Sequence, residues 1–403
     1  MAVVDERGRA APGAARRGEP SGRSAVQVVD ADGHVIEPEA MFASLEEEFR
    51  PHRPLPVMLP PDTPSGDANG VWLIEGKALP NIGGVGGRTT FSVAGTQRSL
   101  KSAASLGDQT LEDVEARLAA LDRFGIHQQV VYPTMFLVNA IQNVRLEAAL
   151  FRAYNSYLAE ACARSHGRLK WAAPVSFRDP RAAVQEIQRV SDLGAAGIFT
   201  LGVVFDRHLN DADFFPIYDA MSELDLPLCV HLGWGAPRVT ELFTDSHSFF
   251  CSATTPVIWS FLYIMAYGLL GRFPKLRVGF IETGSEWVPY MVTQLRRRFK
   301  PPSKITPQIR PGVGRDAIDR ALYRDPAEWF REGRAFVACE SEEDLPYLLR
   351  HLGEDGLMLA SDYPHGDPSA DEAFVGEIQQ REDVPEHVKA KLMGGNAARL
   401  YRL

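Results

Sequence analysis

KWAAPVSFRDPRAAVQEIQRVSDLGAAGIFTL, residues 170–201, sets two short apolar runs on either side of a segment with helical period. Residues 170–175 and 196–201 read as strands, and 180–193 as an amphipathic helix whose apolar side chains recur three and four apart. Asp179 before Pro180 is a capping residue followed by a first-turn proline, which places the helix start. Strand, helix and strand in that order make a crossover unit, and the two strands are expected to lie parallel in one sheet.

The unit repeats in both directions. Strands are expected at 26–32, 129–133, 228–232, 277–282, 335–339 and 357–361, which with the two above makes eight. Helical period recurs at 111–124, 146–165, 213–224, 342–352 and 385–393, with Thr110 expected to cap the first of these and Asp113 three residues on. Eight strands, each followed by a helix or by room for one, predict an α/β fold of the (β/α)8 TIM-barrel type. A doubly wound sheet fits less well, because no G-x-G-x-x-G follows the first strand.

One interval breaks the rhythm. Residues 35–109 separate the first strand from its helix and include NIGGVGGRTTFS at 81–92. A structureless loop of that length is uncommon in a compact domain, so the interval is expected to be a lid or cap over the barrel mouth, or a contact between copies. Its glycines lack the Lys-Ser/Thr ending of a phosphate loop. Residues 1–24, rich in Gly, Ala, Pro, Arg and Ser, are expected to be a disordered tail, leaving 25–403 as one domain.

Composition narrows the partners. A net charge of −9 argues against nucleic acid, whose phosphates require a basic excess. The basic run Arg296, Arg297, Arg298 and Lys300 falls at a helix end, where cations offset the dipole. Cys162, Cys229, Cys251 and Cys339 form no CxxC pair and no disulfide framework, so a cytoplasmic location is expected. No secretory signal is read at the N-terminus, and the longest apolar stretch, 256–270, is too short to cross a membrane.

Catalytic groups of a barrel stand at the C-terminal ends of its strands. Strand one ends Asp32-Gly33-His34, and residues at i and i+2 share one side of a strand. Strand five ends PLCVHLGWG, placing His231 after an apolar run; strand six ends VGFIETGSEW, placing Glu282; strand eight ends LMLASDYPHGD, placing Asp362 and, three residues on, His365. Four strands thus present imidazole or carboxylate at one end of the barrel. That donor set suits one divalent metal ion, with Zn2+ the first expectation and Mn2+ or Fe2+ as alternatives.

The strand-one D-x-H, the strand-five H-x-G and the strand-eight S-D-Y-P-H together resemble the amidohydrolase superfamily, and within it the aminocarboxymuconate-semialdehyde decarboxylase-like branch, over roughly residues 26–403. The resemblance implies Asp32, His34, His231 and Asp362 as metal ligands, with His231 and Asp362 also serving the reaction. It implies a homodimer and a small carboxylic acid substrate. At one place the chain departs from the pattern. Many members of the branch carry a catalytic histidine at the end of strand six, where this chain has Glu282, and an ordinary carboxyl is about two pKa units more acidic than imidazole.

Two reactions suit such a site. One is non-oxidative decarboxylation of an aromatic or unsaturated acid, which the resemblance favours; the other is hydrolysis of a lactone, amide or ester, with Asp362 or Glu282 taking the proton of a water. A barrel that binds a small molecule without turning it over is the third reading, and a serine hydrolase is a poor one, because no G-x-S-x-G elbow is present. For substrate contacts the sequence offers Trp234 as a stacking surface, His247 in the loop after strand five, Arg88 as a carboxylate clasp, and His365 as a pocket residue or a support for Asp362.

Overall fold

A computed structural model describes residues 27–60, 62, 69–79, 93–242, 250–299, 322–366 and 370–403. The expected tail at 1–24, the glycine-rich run at 81–92 with Arg88, and His247 lie outside the described residues.

The eight expected strands are all present and all parallel. In chain order they are Val29–Val35, Gln128–Pro133, Leu169–Pro174, Gly197–Leu201, Leu228–His231, Val278–Ile281, Ala335–Cys339 and Leu357–Leu359, each hydrogen-bonded to its predecessor. Closure comes from a bridge between Gly33 and Tyr363, with Asp362 N–H donating to the Asp32 carbonyl at 2.9 Å and His34 N–H to the Tyr363 carbonyl at 2.7 Å. The seam of the barrel therefore runs through Asp32, His34 and Asp362, three of the ligands expected from sequence. Buried on both faces, most of these strands are near-continuous apolar runs, whereas the first, VDADGHV, alternates apolar and polar residues.

The crossover helices fit the expected places. Pro180–Leu193 begins at Asp179, whose side chain accepts from Ala182 N–H, and ends at Gly194 with φ +94°. The helix expected at 111–124 is Val114–Phe124, and its cap is Asp113, not Thr110. Thr110 closes a separate short helix, Leu106–Thr110, where its hydroxyl donates to Leu106 O at 2.8 Å and accepts from Glu112 N–H at 3.4 Å. The last helix, Asn396–Tyr401, brings Tyr401 into the barrel interior, where its hydroxyl donates to Ala31 O.

The interval 35–109 is not one loop. Its described part holds an antiparallel sheet of Leu55–Met58, Gly70–Ile74 and Lys77–Leu79, and two short helices, Gln97–Lys101 and Leu106–Thr110, capped by Thr96 and Ser105. It is fastened to the barrel by a buried ion pair, Arg117 Nε to Asp108 Oδ1 at 2.5 Å, with Arg117 also donating to Gln129 Oε1 and to the His34 carbonyl. Replacing Arg117 by methionine leaves Asp108 buried without its cation. The expected loss of stability is about 3 kcal/mol, read from the shift in a urea-unfolding midpoint.

The four cysteines are free, three of them buried. Among the described residues no helix is long and apolar enough to cross a membrane.

Candidate metal centre

The first strand runs to Val35, three residues past the expected end at Asp32, and its register shifts between Asp30 and Gly33. Asp32 and His34 sit on the same side of it, Asp32 Oδ1 3.4 Å from His34 Nε2. His231, the last residue of strand five, brings its Nε2 within 3.3 Å of that same Asp32 oxygen. Glu282, the first residue after strand six, places Oε2 3.3 Å from His231 Nε2 and 3.6 Å from His34 Nε2. Asp362 arrives from strand eight with Oδ1 3.3 Å from His34 Nε2. None of the five side chains is more than 3% exposed, so water contributes little to holding them apart.

Glu282 and Asp362 share a backbone peculiarity. Their φ angles are +59° and +54°, a left-handed conformation that costs a residue with a Cβ about 1–2 kcal/mol and persists only where its surroundings enforce it. In each case the turn begins where an apolar strand ends.

The tautomers of the two histidines follow from their outer partners. His34 Nδ1 lies 3.1 Å from the Pro133 carbonyl and His231 Nδ1 2.8 Å from the Leu232 carbonyl, so both Nδ1 atoms donate. Burial holds the His34 imidazole well below its ordinary range, helped by His365 and His231, and burial also lowers His231 against the pull of Glu282. Both rings are therefore neutral, and both Nε2 atoms carry lone pairs. His34 Nε2 is buried and makes no hydrogen bond, although oxygens of Asp32, Glu282 and Asp362 surround it. Lone pairs facing carboxylates are repulsive unless a cation lies between them. The donor atoms of Asp32, His34, His231 and Glu282 fall within 4.8 Å of one another, as do those of His34, Asp362 and His365. Two neutral imidazoles with the carboxylates of Asp32 and Glu282 fit a divalent cation, and Asp362 adjoins them through His34.

Of the four ligands expected from sequence, Asp32, His34 and His231 cluster with Glu282, while Asp362 groups with His34 and His365. His365 stacks on His34 with ring centres 4.0 Å apart, places Nδ1 2.8 Å from Asp362 Oδ1 and Nε2 2.9 Å from the Thr134 hydroxyl. Its observed partners are those of a support for Asp362. Trp234 is 2% exposed, its indole N–H donating to Ser252 Oγ and its backbone bonded to Leu137 and Asn139, which packs it into the barrel rim.

Other groups escaped the sequence reading. Asp30 is buried behind Asp32, and burial pushes its carboxyl up to about 6 although Ser361, Gln129 and Asp32 all donate to it. Glu37 is buried too, accepting from the N–H groups of Thr134 and Met135, and burial pushes it up to about 7. Asp30 did leave a trace in the alternation of VVDADGH; nothing in the local sequence marks Glu37.

Comparisons with known proteins bear on the family and the fold. A family model described as Amidohydrolase matches residues 29–403. Among curated proteins, the chain is 28% identical over 315 residues to a gamma-resorcylate decarboxylase of Rhizobium radiobacter, covering 74% of this chain and 90% of that one. It is 23% identical to a 2-amino-3-carboxymuconate-6-semialdehyde decarboxylase of Dictyostelium discoideum, covering 72% of this chain and 77% of that one. Among solved structures, the fold matches a 5-carboxyvanillate decarboxylase of Novosphingobium aromaticivorans, complexed with manganese and 4-hydroxy-3-methoxy-5-nitrobenzoic acid. The TM-score is 0.64 at 18% identity, over 96% of this chain and 98% of that one.

Proposed function

The chain belongs to the amidohydrolase family, and from that premise we propose that it is a metal-dependent, non-oxidative decarboxylase of a small aromatic or unsaturated carboxylic acid. The observation that carries the reading is the buried meeting of two neutral imidazoles with Asp32, Glu282 and Asp362 at the mouth of the barrel. The decarboxylases named among the relatives support the reaction class.

Asp32, His34, His231 and Asp362 would hold the ion, with Glu282 as a further donor. Bound there, a divalent cation would supply positive charge and Lewis acidity toward an anionic substrate. The chain's own residues do the rest. The neutral His34 and His231 rings keep Nε2 open toward the centre because their Nδ1 protons are committed to carbonyls. Asp362 is the group placed to deliver a proton to the ring carbon that bears the carboxylate, with His365 Nδ1 at its Oδ1 and the Thr134 hydroxyl behind His365. Once that carbon is protonated, the C–C bond breaks, its electron pair returns to the ring and CO2 leaves. Glu282 occupies the strand-six position with a carboxylate, and its share is to complete the negative charge around the ion.

The carboxylate-rich donor set supports Mn2+ alongside the expected Zn2+, and the manganese of the Novosphingobium enzyme supports it too. The test uses protein stripped by a chelator and reloaded with each ion in turn. Release of CO2 from a panel of hydroxy- and aminobenzoates, lost on stripping and restored on reloading, is the expected result. Silence on that panel with turnover of a lactone panel would make the protein a hydrolase; silence on both, with no retained metal, would leave a binding barrel. Light scattering on the same sample checks for the proposed homodimer.

A further inference from the structure

Asp362 adopts a left-handed conformation that disfavours any residue with a Cβ, and the residues on either side of it are both clamped. Ser361 gives its N–H to Asp30 Oδ1 at 2.8 Å and its hydroxyl to Asp30 Oδ2 at 2.5 Å. Tyr363 gives its hydroxyl to Asp108 Oδ2 at 2.5 Å and its N–H to Ser361 Oγ at 3.1 Å. The two anchoring carboxylates are themselves joined. Gln129 Nε2 donates to Asp30 Oδ2 at 2.8 Å, Arg117 Nη1 donates to Gln129 Oε1 at 2.9 Å, and Arg117 Nε reaches Asp108 Oδ1. The links Ser361–Asp30–Gln129–Arg117–Asp108–Tyr363 close a hoop around one residue, Asp362.

The hoop is dry. None of its six members is more than 3% exposed, so a broken link is not repaired by solvent and the bonds act together. It also accounts for the glycine between the two strand-one ligands. A Cβ on Gly33 would stand 2.2 Å from Gln129 Nε2, so a side chain there would push Gln129 out of the ring. Asp108 comes from the 35–109 interval, which therefore contributes a carboxylate to the hoop.

We propose that this buried hoop fixes the Asp362 carboxylate in the metal centre, and that Tyr363, Asp108, Gln129 and Asp30 are positioning residues for it. The activity arm of the test rests on the decarboxylase reading; the metal-binding arm does not.

The experiment compares Tyr363→Phe, Ser361→Ala and the double variant with the parent chain. Mn2+ affinity is measured by paramagnetic-resonance titration of the stripped protein, and kcat and KM by CO2 release. The expected result for each single variant is a Kd for Mn2+ about tenfold higher and a kcat about tenfold lower, with KM within about twofold of the parent. Because the links act as one device, the double variant should lose little more than the worse single variant. Lower melting temperatures with Kd and kcat both within about twofold would overturn the proposal and make the hoop a brace for the fold. Fully additive losses in the double variant would overturn it as well. If Tyr363→Phe fails to fold, Ser361→Ala tests the opposite end of the hoop. A parent that releases no CO2 but binds Mn2+ defeats the decarboxylase reading alone, and the Kd comparison still decides the hoop; a parent that binds no Mn2+ defeats both.

Discussion

His231→Ala protein should purify with less than about a tenth of an equivalent of transition metal and turn over at least ~10³-fold more slowly than the parent, while keeping a folded barrel. His231 ends a strand whose four residues are all buried and paired on both sides, so the backbone does not depend on the imidazole. Its Nε2 is the atom that lies against both Asp32 and Glu282. Without the ring, the centre keeps one neutral imidazole among three carboxylates, a set that binds a divalent ion less selectively and places it less firmly. The truncation also opens a cavity beside Tyr132, whose ring centre is 4.8 Å from that of His231, and a stability loss of about 2 kcal/mol accompanies it. Metal content by elemental analysis and circular dichroism on the same sample separate the two effects. Parent-level metal and turnover in this variant would remove His231 from the site.

Why could His231 be picked out from sequence when half of its surroundings could not? A polar residue that closes an apolar run is conspicuous, and His231, Glu282 and Asp362 each do so. Strands buried on both faces repeat the same signal, so the barrel count followed from local pattern alone. The hoop behind Asp362 has no such signature. Asp30 and Gln129 are 99 residues apart, Ser361 and Asp30 331 apart, and each looks locally like a strand residue of the wrong polarity. Arg117, on an amphipathic helix, reads as a solvated face until the barrel closes over it. The small sheet in the 35–109 interval was missed for another reason. Its strand Leu55–Met58 contains Pro56, which cannot donate to a ladder and so argues locally against a strand, and the cost is tolerated because this is the sheet's edge. Local chemistry marks the candidate ligands; the groups packed behind them emerge only from topology.

Asp362→Asn should separate holding the metal from running the reaction. The amide has the size of the carboxylate, and asparagine tolerates a left-handed φ better than most residues with a Cβ, so the +54° turn survives. The Asp362 N–H bond to the Asp32 carbonyl and the clamps on Ser361 and Tyr363 are untouched, because none of them uses the Asp362 side chain. Metal is therefore expected to remain, with a Kd for Mn2+ raised about tenfold by the lost charge. Turnover should fall far more, by about 10³- to 10⁴-fold, because an amide cannot pass a proton from His365 Nδ1 to a substrate carbon. Stability should move the other way. In the stripped protein three carboxylates crowd one buried point, and neutralising one relieves their repulsion, so the metal-free variant is expected to melt above the metal-free parent. Melting curves with and without Mn2+, set beside kcat, test all three statements on one preparation. If Asp362→Asn loses its metal entirely, the side chain is chiefly a ligand and the proton must come from elsewhere. If it keeps parent-level turnover, Asp362 has no part in the chemistry, and Glu282 is the carboxylate to examine.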